Sequence, residues 1–194
     1  MLSPLALTLT RRSQPQINLL IDAILILVGS LFVAAFAQIS IPLSFTPVPI
    51  TGQTFAVLIV GASLGSKRGA LSLLLYVIEG AAGLPVYAEF TGGLGRLLGP
   101  SGGYLIGFIA AAFVVGWLAE RGLDRRWSTA IIPFLVGTVI IYIVGASWLA
   151  IFIGPGKALI GGVIPFLIGD AIKLVLAAIA LPSAWALVKA FDRS

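Results

Sequence analysis

The constraint that dominates this chain is the length of its apolar runs. From Ile17 to Ser40 the strongly polar side chains are Asn18, Asp22 and Gln38 alone. About 20 mainly apolar residues suffice to cross the hydrocarbon core of a bilayer as a helix. Residues 101–119, 128–153 and 162–190 repeat the pattern, with Pro133 near the start of the second run and Asp170, Lys173 and Pro182 inside the third. Two shorter runs, 53–64 and 69–83, read as a pair of short or tilted helices or as a re-entrant pair. The expected architecture is an all-α integral membrane protein. It is a single membrane domain over residues 1–194, a bundle of six transmembrane helices (17–40, 53–64, 69–83, 101–119, 128–153 and 162–190) behind a polar tail of residues 1–15.

A water-soluble reading fails on composition. Hydrophobic residues make up 59% of the chain and charged residues 10%, against about 25% charged in soluble domains. There is no Cys and no His. That excludes disulfides, thiolate nucleophiles, Cys- or His-ligated metals and every His-based catalytic unit. The expectation is a non-enzyme without metal or cofactor. The net charge of +5 comes from basic residues scattered between apolar runs, which fits topology signals and not a nucleic-acid patch.

Six helices with both termini cytoplasmic place Arg11, Arg12, Lys67, Arg68, Arg121, Arg125, Arg126, Lys189 and Arg193 inside, against Arg96 and Lys157 outside. This is a strong positive-inside bias. Were 53–83 one straight helix, Lys67 and Arg68 would sit in hydrocarbon. Arg11 and Arg12 followed by an apolar run ending Ala35-Phe36-Ala37 resemble a signal peptide, but the run is longer than the usual h-region of about 7–15 residues. The tail is therefore read as retained in a multi-pass protein of the cell membrane.

The outer connections are the unusual part. Ile41–Gly52 has three prolines and no charge. Each proline fixes its own φ and disfavours helix before it, so the loop is stiff, extended and apolar, either a lid over an outer pocket or a tight connector. Leu84–Gly103 combines glycines with Tyr87, Glu89, Phe90 and Arg96. Aromatic rings with one acid and one base among glycines suit a small-molecule site, with an interfacial aromatic loop as the alternative. Gly99, Gly103, Gly107 and Ala111 form one small-residue ridge and Ser30, Ala34 and Ala37 another. Such ridges permit close approach of a helix, a ligand or a partner.

Asp170 and Lys173 share a helix face. If their helix begins near Gly162, they lie about 12 and 16 Å along it. A central intramembrane charge costs about 2.5–3.5 kcal/mol on insertion scales, so such residues are functional candidates. Asp22 and Glu79, nearer helix ends, carry less weight. Other motifs fail. Gly61-Ala62-Ser63-Leu64-Gly65 matches a nucleophile elbow without the strand–turn–helix context or a His. Gly156-Lys157 lacks the remainder of a P-loop, and Gly93-x-Gly95 lacks the third glycine of a dinucleotide fold. No internal repeat supports an inverted-repeat transporter.

Several blocks resemble one family. They are Thr46-Pro-Val-Pro-Ile-Thr-Gly-Gln53, Gly65-Ser-Lys-Arg-Gly-Ala70, Leu74 to Val86, Gly92-Gly-Leu-Gly95 and Leu98-Gly-Pro-Ser-Gly-Gly-Tyr-Leu-Ile-Gly-Phe108. Together they resemble the BioY family, the biotin-binding S components of energy-coupling-factor transporters. The resemblance implies capture of biotin at the outer face, with a transmembrane coupling protein and two ATPase subunits as partners beside the lipid bilayer. It implies a ligand role for Asp170 and Lys173, as the Asp-x-x-Lys of the last helix, and for Arg96 of the glycine-rich loop, with Tyr87, Glu89 and Gln53 completing the expected substrate-binding set. It implies docking of the coupling protein at Ser30, Ala34 and Ala37. Biotin suits these residues chemically. A carboxylate accepts from the ureido N–H groups, an ammonium donates to the ureido carbonyl, and a guanidinium holds the valerate carboxylate. The alternative is a solitary proton-coupled secondary transporter of biotin or another small vitamin, with Asp170, Glu79 or Asp22 as relay. A membrane enzyme without His or Cys would need a Ser-Lys or Asp-Asp pair, and a purely structural subunit leaves Asp170 and Lys173 unexplained.

Overall fold

The computed structural model describes residues 4–6 and 15–191. Arg11, Arg12 and Arg193, counted above among the inward-facing charges, lie outside the described residues, as do the side chain of Lys189 and most of the expected tail over 1–15. Helix α1 spans Pro15–Ala37, ending short of the expected Ser40. The chain then enters a two-stranded antiparallel hairpin, β1 (Ser40–Ile41) and β2 (Ile50–Thr51), with Ser40 opposite Thr51 and Ile41 opposite Ile50. Pro42, Pro47 and Pro49 keep the connecting loop out of helix.

Helix α2, Gln53–Ala81, is not a rod, because Gly65 interrupts it at φ 83, ψ 178, a region essentially reserved for glycine. Gln53 Nε2 donates to the Tyr76 hydroxyl at 2.6 Å. In a straight helix these residues would stand about 34 Å apart. A Cβ on Gly69 would fall 2.9 Å from the Gly61 Cα. The element is therefore a hairpin of two antiparallel arms, 53–64 and 66–81, about 18 and 24 Å long. The two short helices expected over 53–64 and 69–83 are these arms, the second starting at Ser66 with no loop between them. Glu120, at the end of helix α4 (Gly102–Ala119), closes the tip. Its Oε1 accepts from the Ser66 backbone N–H at 2.8 Å and from the Ser66 hydroxyl at 2.9 Å. A carboxylate at a helix N-terminus satisfies orphan N–H groups and complements the helix dipole.

A 3-10 turn (Ala88–Phe90) and the short helix α3 (Leu94–Leu98) fill the link from α2 to α4. Helix α4 lies against α2 at backbone distance. A Cβ on Gly61 would sit 2.8 Å from the Ala112 carbonyl, and one on Gly116 would sit 2.4 Å from Gly65 and Ser66. Helix α5, Trp127–Ile153, packs on the other side of α4, where the Gly103–Gly107 ridge receives Trp148 and Val144. That ridge is helix packing. The core along these seams is closed by Tyr76, Leu58, Leu73 and Phe134, all fully buried.

The expected single helix over 162–190 divides. Helix α6 covers Pro155–Gly162, a 3-10 turn covers Ile164–Phe166, and helix α7 covers Leu167–Phe191. Pro165 has no N–H to donate and disfavours helix at the residue before it. Asp170 consequently sits in the first turn of α7, not about two turns below a start at Gly162.

The fold is mostly helical, and among the described residues five helical stretches, with the α2 hairpin and Pro155–Leu187 each taken as one, are long and apolar enough to cross a membrane. Exposed leucines and isoleucines of α1, α5 and α7, among them Leu19, Ile143 and Ile168, form the outer surface. At the Gly65 end of the bundle Arg68 holds Asp22 through two hydrogen bonds of 2.7 and 2.8 Å. Also between helices, in the α4–α5 turn, Asp124 is buried and accepts from Trp185 Nε1 at 2.6 Å. Its Oδ1 has no hydrogen-bond partner among the described residues. Burial pushes the Asp124 carboxyl above the ordinary carboxylate range, against the opposing pull of the Trp185 hydrogen bond.

Candidate ligand-binding site

Opposite the Gly65 tip, the helix ends and their connecting loops surround a partly open cavity, about 630 Å³ when the open space at its mouth is included. The N-terminal turn of α7 brings Asp170 to its wall at 4% exposure. A helix N-terminus favours a carboxylate. Lys173 follows one turn later. Its Nζ donates to Asp170 Oδ1 at 2.8 Å, to the Thr54 hydroxyl at 2.9 Å and to the Thr51 carbonyl at 2.7 Å. An ammonium has three donors, and all three are engaged. Asp170 Oδ1 also accepts from the Thr54 hydroxyl at 3.1 Å, and Oδ2 accepts from the Tyr142 hydroxyl at 2.5 Å. The pair is neutralised and hydrogen-bonded, which offsets its desolvation, and it borders open space.

The proline-containing loop between β1 and β2 builds the facing wall. Val48 and Pro49 line the cavity, and Val48 is buried. The Thr46 hydroxyl accepts from the Val48 N–H at 3.4 Å, which holds the loop in its bend. Tyr87 supplies an aromatic wall at 2% exposure. Its hydroxyl donates to the Val77 carbonyl at 2.8 Å, its ring meets Tyr76 edge-on, and burial pushes its pKa up to about 12. It contributes shape and not charge at neutral pH. Gln53 also lines the cavity, with its amide joined to Tyr76 and to the Thr51 hydroxyl.

Arg96, in α3, lines the same cavity. Its Nε donates to the Thr91 hydroxyl at 3.2 Å and its Nη2 to Glu89 Oε2 at 3.3 Å. Nη1 has no hydrogen-bond partner among the described residues. A guanidinium steered by two contacts and open at a third nitrogen suits an incoming anion. Of the six expected ligand residues, the structure brings Asp170, Lys173, Arg96, Tyr87 and Gln53 to one cavity. Glu89 stands behind Arg96 and does not line it. Thr54, Tyr142, Tyr104 and Phe166 also line it and were missed from sequence. The single tyrosine within the apolar run of α5 was the available signal for Tyr142.

The small-residue stripe of α1 faces inward. Ser30 and Ala37 are fully buried and Ala34 nearly so, and the Ser30 hydroxyl donates to Glu79 Oε2. The stripe expected to receive a partner is buried within the chain in this structure, and Ser30 meets the second arm of α2.

The sequence profile of the BioY family matches residues 9–190, which covers the elements just described up to the last residue of α7. The chain belongs to the BioY family. A probable biotin transporter BioY of Pyrococcus horikoshii is 46% identical over 143 residues, covering 74% of this chain and 83% of that protein. A biotin transporter BioY of Thermotoga maritima is 46% identical over 144 residues with the same coverage. Among solved structures, the crystal structure of the S-component for biotin from an ECF-type ABC transporter superposes with a TM-score of 0.79 at 28% identity, covering 88% of this chain and 94% of that one. This BioY-family chain is thus a multi-pass membrane protein of a transporter family, not an enzyme.

Proposed function

We propose that this BioY-family chain is the substrate-capture component of an energy-coupling-factor importer and binds biotin at its outer face. The observation that carries the reading is the buried Asp170–Lys173 pair, fully hydrogen-bonded yet bordering a cavity that Arg96 also lines. Relatives named as biotin transporters support the ligand. Asp170 accepts from the ureido N–H groups, Lys173 exchanges one of its three protein acceptors for the ureido carbonyl, and Arg96 takes the valerate carboxylate. Val48, Pro49 and Tyr87 pack against the rings and chain, Gln53 supports the wall, and Glu89 steers Arg96.

The topology is six crossings with both termini cytoplasmic. The hairpin at Gly65 supports it. Lys67 and Arg68 stand at a tip beside the end of α4, and Arg96 belongs to the opposite end with the cavity. A transmembrane coupling protein and two ATPases drive release inward, since no phosphate-binding loop is present in the sequence. Docking at Ser30, Ala34 and Ala37 requires α1 to move, since that stripe is buried within the chain.

Titration of the purified chain with biotin, with riboflavin and thiamine as controls, tests the ligand. Saturable binding of biotin alone is expected, and indifference to biotin overturns the reading. Uptake by cells without an ATPase module, abolished by a proton uncoupler, would instead favour the solitary transporter.

A further inference from the structure

Gln38 directly follows α1 and has no part in the ligand set above. Its side-chain amide reaches across to the turn formed by residues 86–90. Nε2 donates its two protons to the Ala34 carbonyl beside it at 3.0 Å and to the Tyr87 carbonyl at 3.1 Å, with the Val86 carbonyl at 3.5 Å sharing one of them. Oε1 accepts from the Phe90 backbone N–H at 2.9 Å. The orientation is dictated by chemistry, since a reversed amide would aim its oxygen at three carbonyl acceptors. A residue that merely closed the end of α1 would need the first of these bonds and none of the others.

The turn it grips is strained. Glu89 has φ 62 and Phe90 has φ 53, a left-handed backbone that side-chain-bearing residues keep only where their surroundings dictate it. Glu89 and Thr91, which flank Phe90, are the two residues whose side chains hold the Arg96 guanidinium. Contacts therefore run without a gap from α1 through Gln38 to the turn, and from the turn to the guanidinium at the cavity.

We propose that Gln38 is a positioning residue for Arg96. It holds the left-handed Glu89–Phe90 turn and thereby aims the guanidinium at an anionic group of the ligand. It also ties the outer end of α1 to the anion-recognising side of the site. The proposal rests on the reading that Arg96 receives the biotin carboxylate.

The experiment compares biotin with biotin amide, its neutral analogue, on the purified full-length chain in detergent. Gln38→Ala should weaken biotin about tenfold, the size of one lost charge-assisted hydrogen bond, and leave the amide nearly unchanged. Arg96→Ala should give the same split, and the Gln38→Ala/Arg96→Ala double variant should be no worse than Arg96→Ala alone. Phe90 is 71% exposed, so its side chain can be removed. Phe90→Gly introduced into Gln38→Ala should restore biotin binding, because glycine holds φ > 0 unaided. If Gln38→Ala alone fails to fold, a folded Gln38→Ala/Phe90→Gly chain with near wild-type biotin binding gives the same support. Equal losses for both ligands, no loss at all, or no recovery with Phe90→Gly overturns the proposal. A wild-type chain that takes neither ligand overturns the functional reading itself, and the proposal with it.

Discussion

Lys173 Nζ lies 2.8 Å from Asp170 Oδ1, and the Thr54 hydroxyl joins both, accepting from the amine and donating to the acid. Removing one member of a buried ion pair strands the other at a cost of about 3–5 kcal/mol, whereas removing both leaves no stranded charge. Asp170→Asn and Lys173→Met should each lower the melting temperature in detergent and weaken biotin by more than about tenfold. The Asp170→Asn/Lys173→Met double variant should recover melting temperature relative to either single variant while biotin binding stays lost. Thermal melts paired with titrations separate the two outcomes. Recovery of binding along with stability would remove the pair from the site.

Thr54 and Tyr142 should rank differently. Thr54→Val takes a partner from both members of the pair, and Tyr142→Phe takes one from Asp170 alone. Each lost hydrogen bond to a buried charge is worth about 1.5–3 kcal/mol. Thr54→Val should therefore destabilise the chain more than Tyr142→Phe, with biotin binding weakened in the same order. Side-by-side unfolding and titration of the two variants checks the order, which a reversed ranking would contradict.

Gly65→Ala tests the hairpin. Glycine is needed at φ 83, ψ 178, and a Cβ there would fall 2.6 Å from both Glu120 Oε1 and Pro4 Cγ. A loss of about 1–3 kcal/mol is expected for the backbone conformation alone, with more from displacement of Glu120. A chain that melts like wild type would mean that the arms do not meet in this conformation.

Asp124 gives a pH signature. Burial raises its folded-state pKa above the unfolded value of about 3.9. The folded state then prefers the protonated acid, so the contribution is complete below the unfolded pKa and is lost as pH rises through the folded one. Asp124→Asn stays neutral and keeps an oxygen to accept from Trp185. The variant should gain stability over wild type as pH rises above the ordinary carboxylate range, and the gap should close in acid. Melting curves of both proteins from acid to neutral pH measure it, and a gap independent of pH would refute the assignment.

Much of the fold was legible in one dimension because lipid imposes a simple rule. Apolar runs of sufficient length must become helices, which satisfy their own backbone groups. The runs at 101–119 and 128–153 needed a correction of no more than one residue at either end. The short pair was visible through Lys67 and Arg68, charges that a single straight helix would leave in hydrocarbon. The boundary near Gly162 was misread because hydropathy passes smoothly across Pro165, and only the backbone geometry there starts a new helix at Leu167.

The candidate site divides in the same way. Asp170, Lys173 and Arg96 stood out because ionisable groups are costly in or near a bilayer, a property of the residues themselves. Thr54, Tyr142 and the role of Gln38 did not, because hydroxyls and amides are unremarkable in sequence and gain meaning only from what they touch. The inward turn of the Ser30–Ala34–Ala37 stripe was likewise undecided, since small residues suit a neighbouring helix of the same chain as well as a partner. The amino-acid order by itself determined that this chain enters a membrane, where most of its helices run and which charges need a reason to be there. Tertiary structure alone decided which polar groups meet across one cavity, because those contacts join residues up to 122 positions apart, and sequence periodicity carries no information at that range.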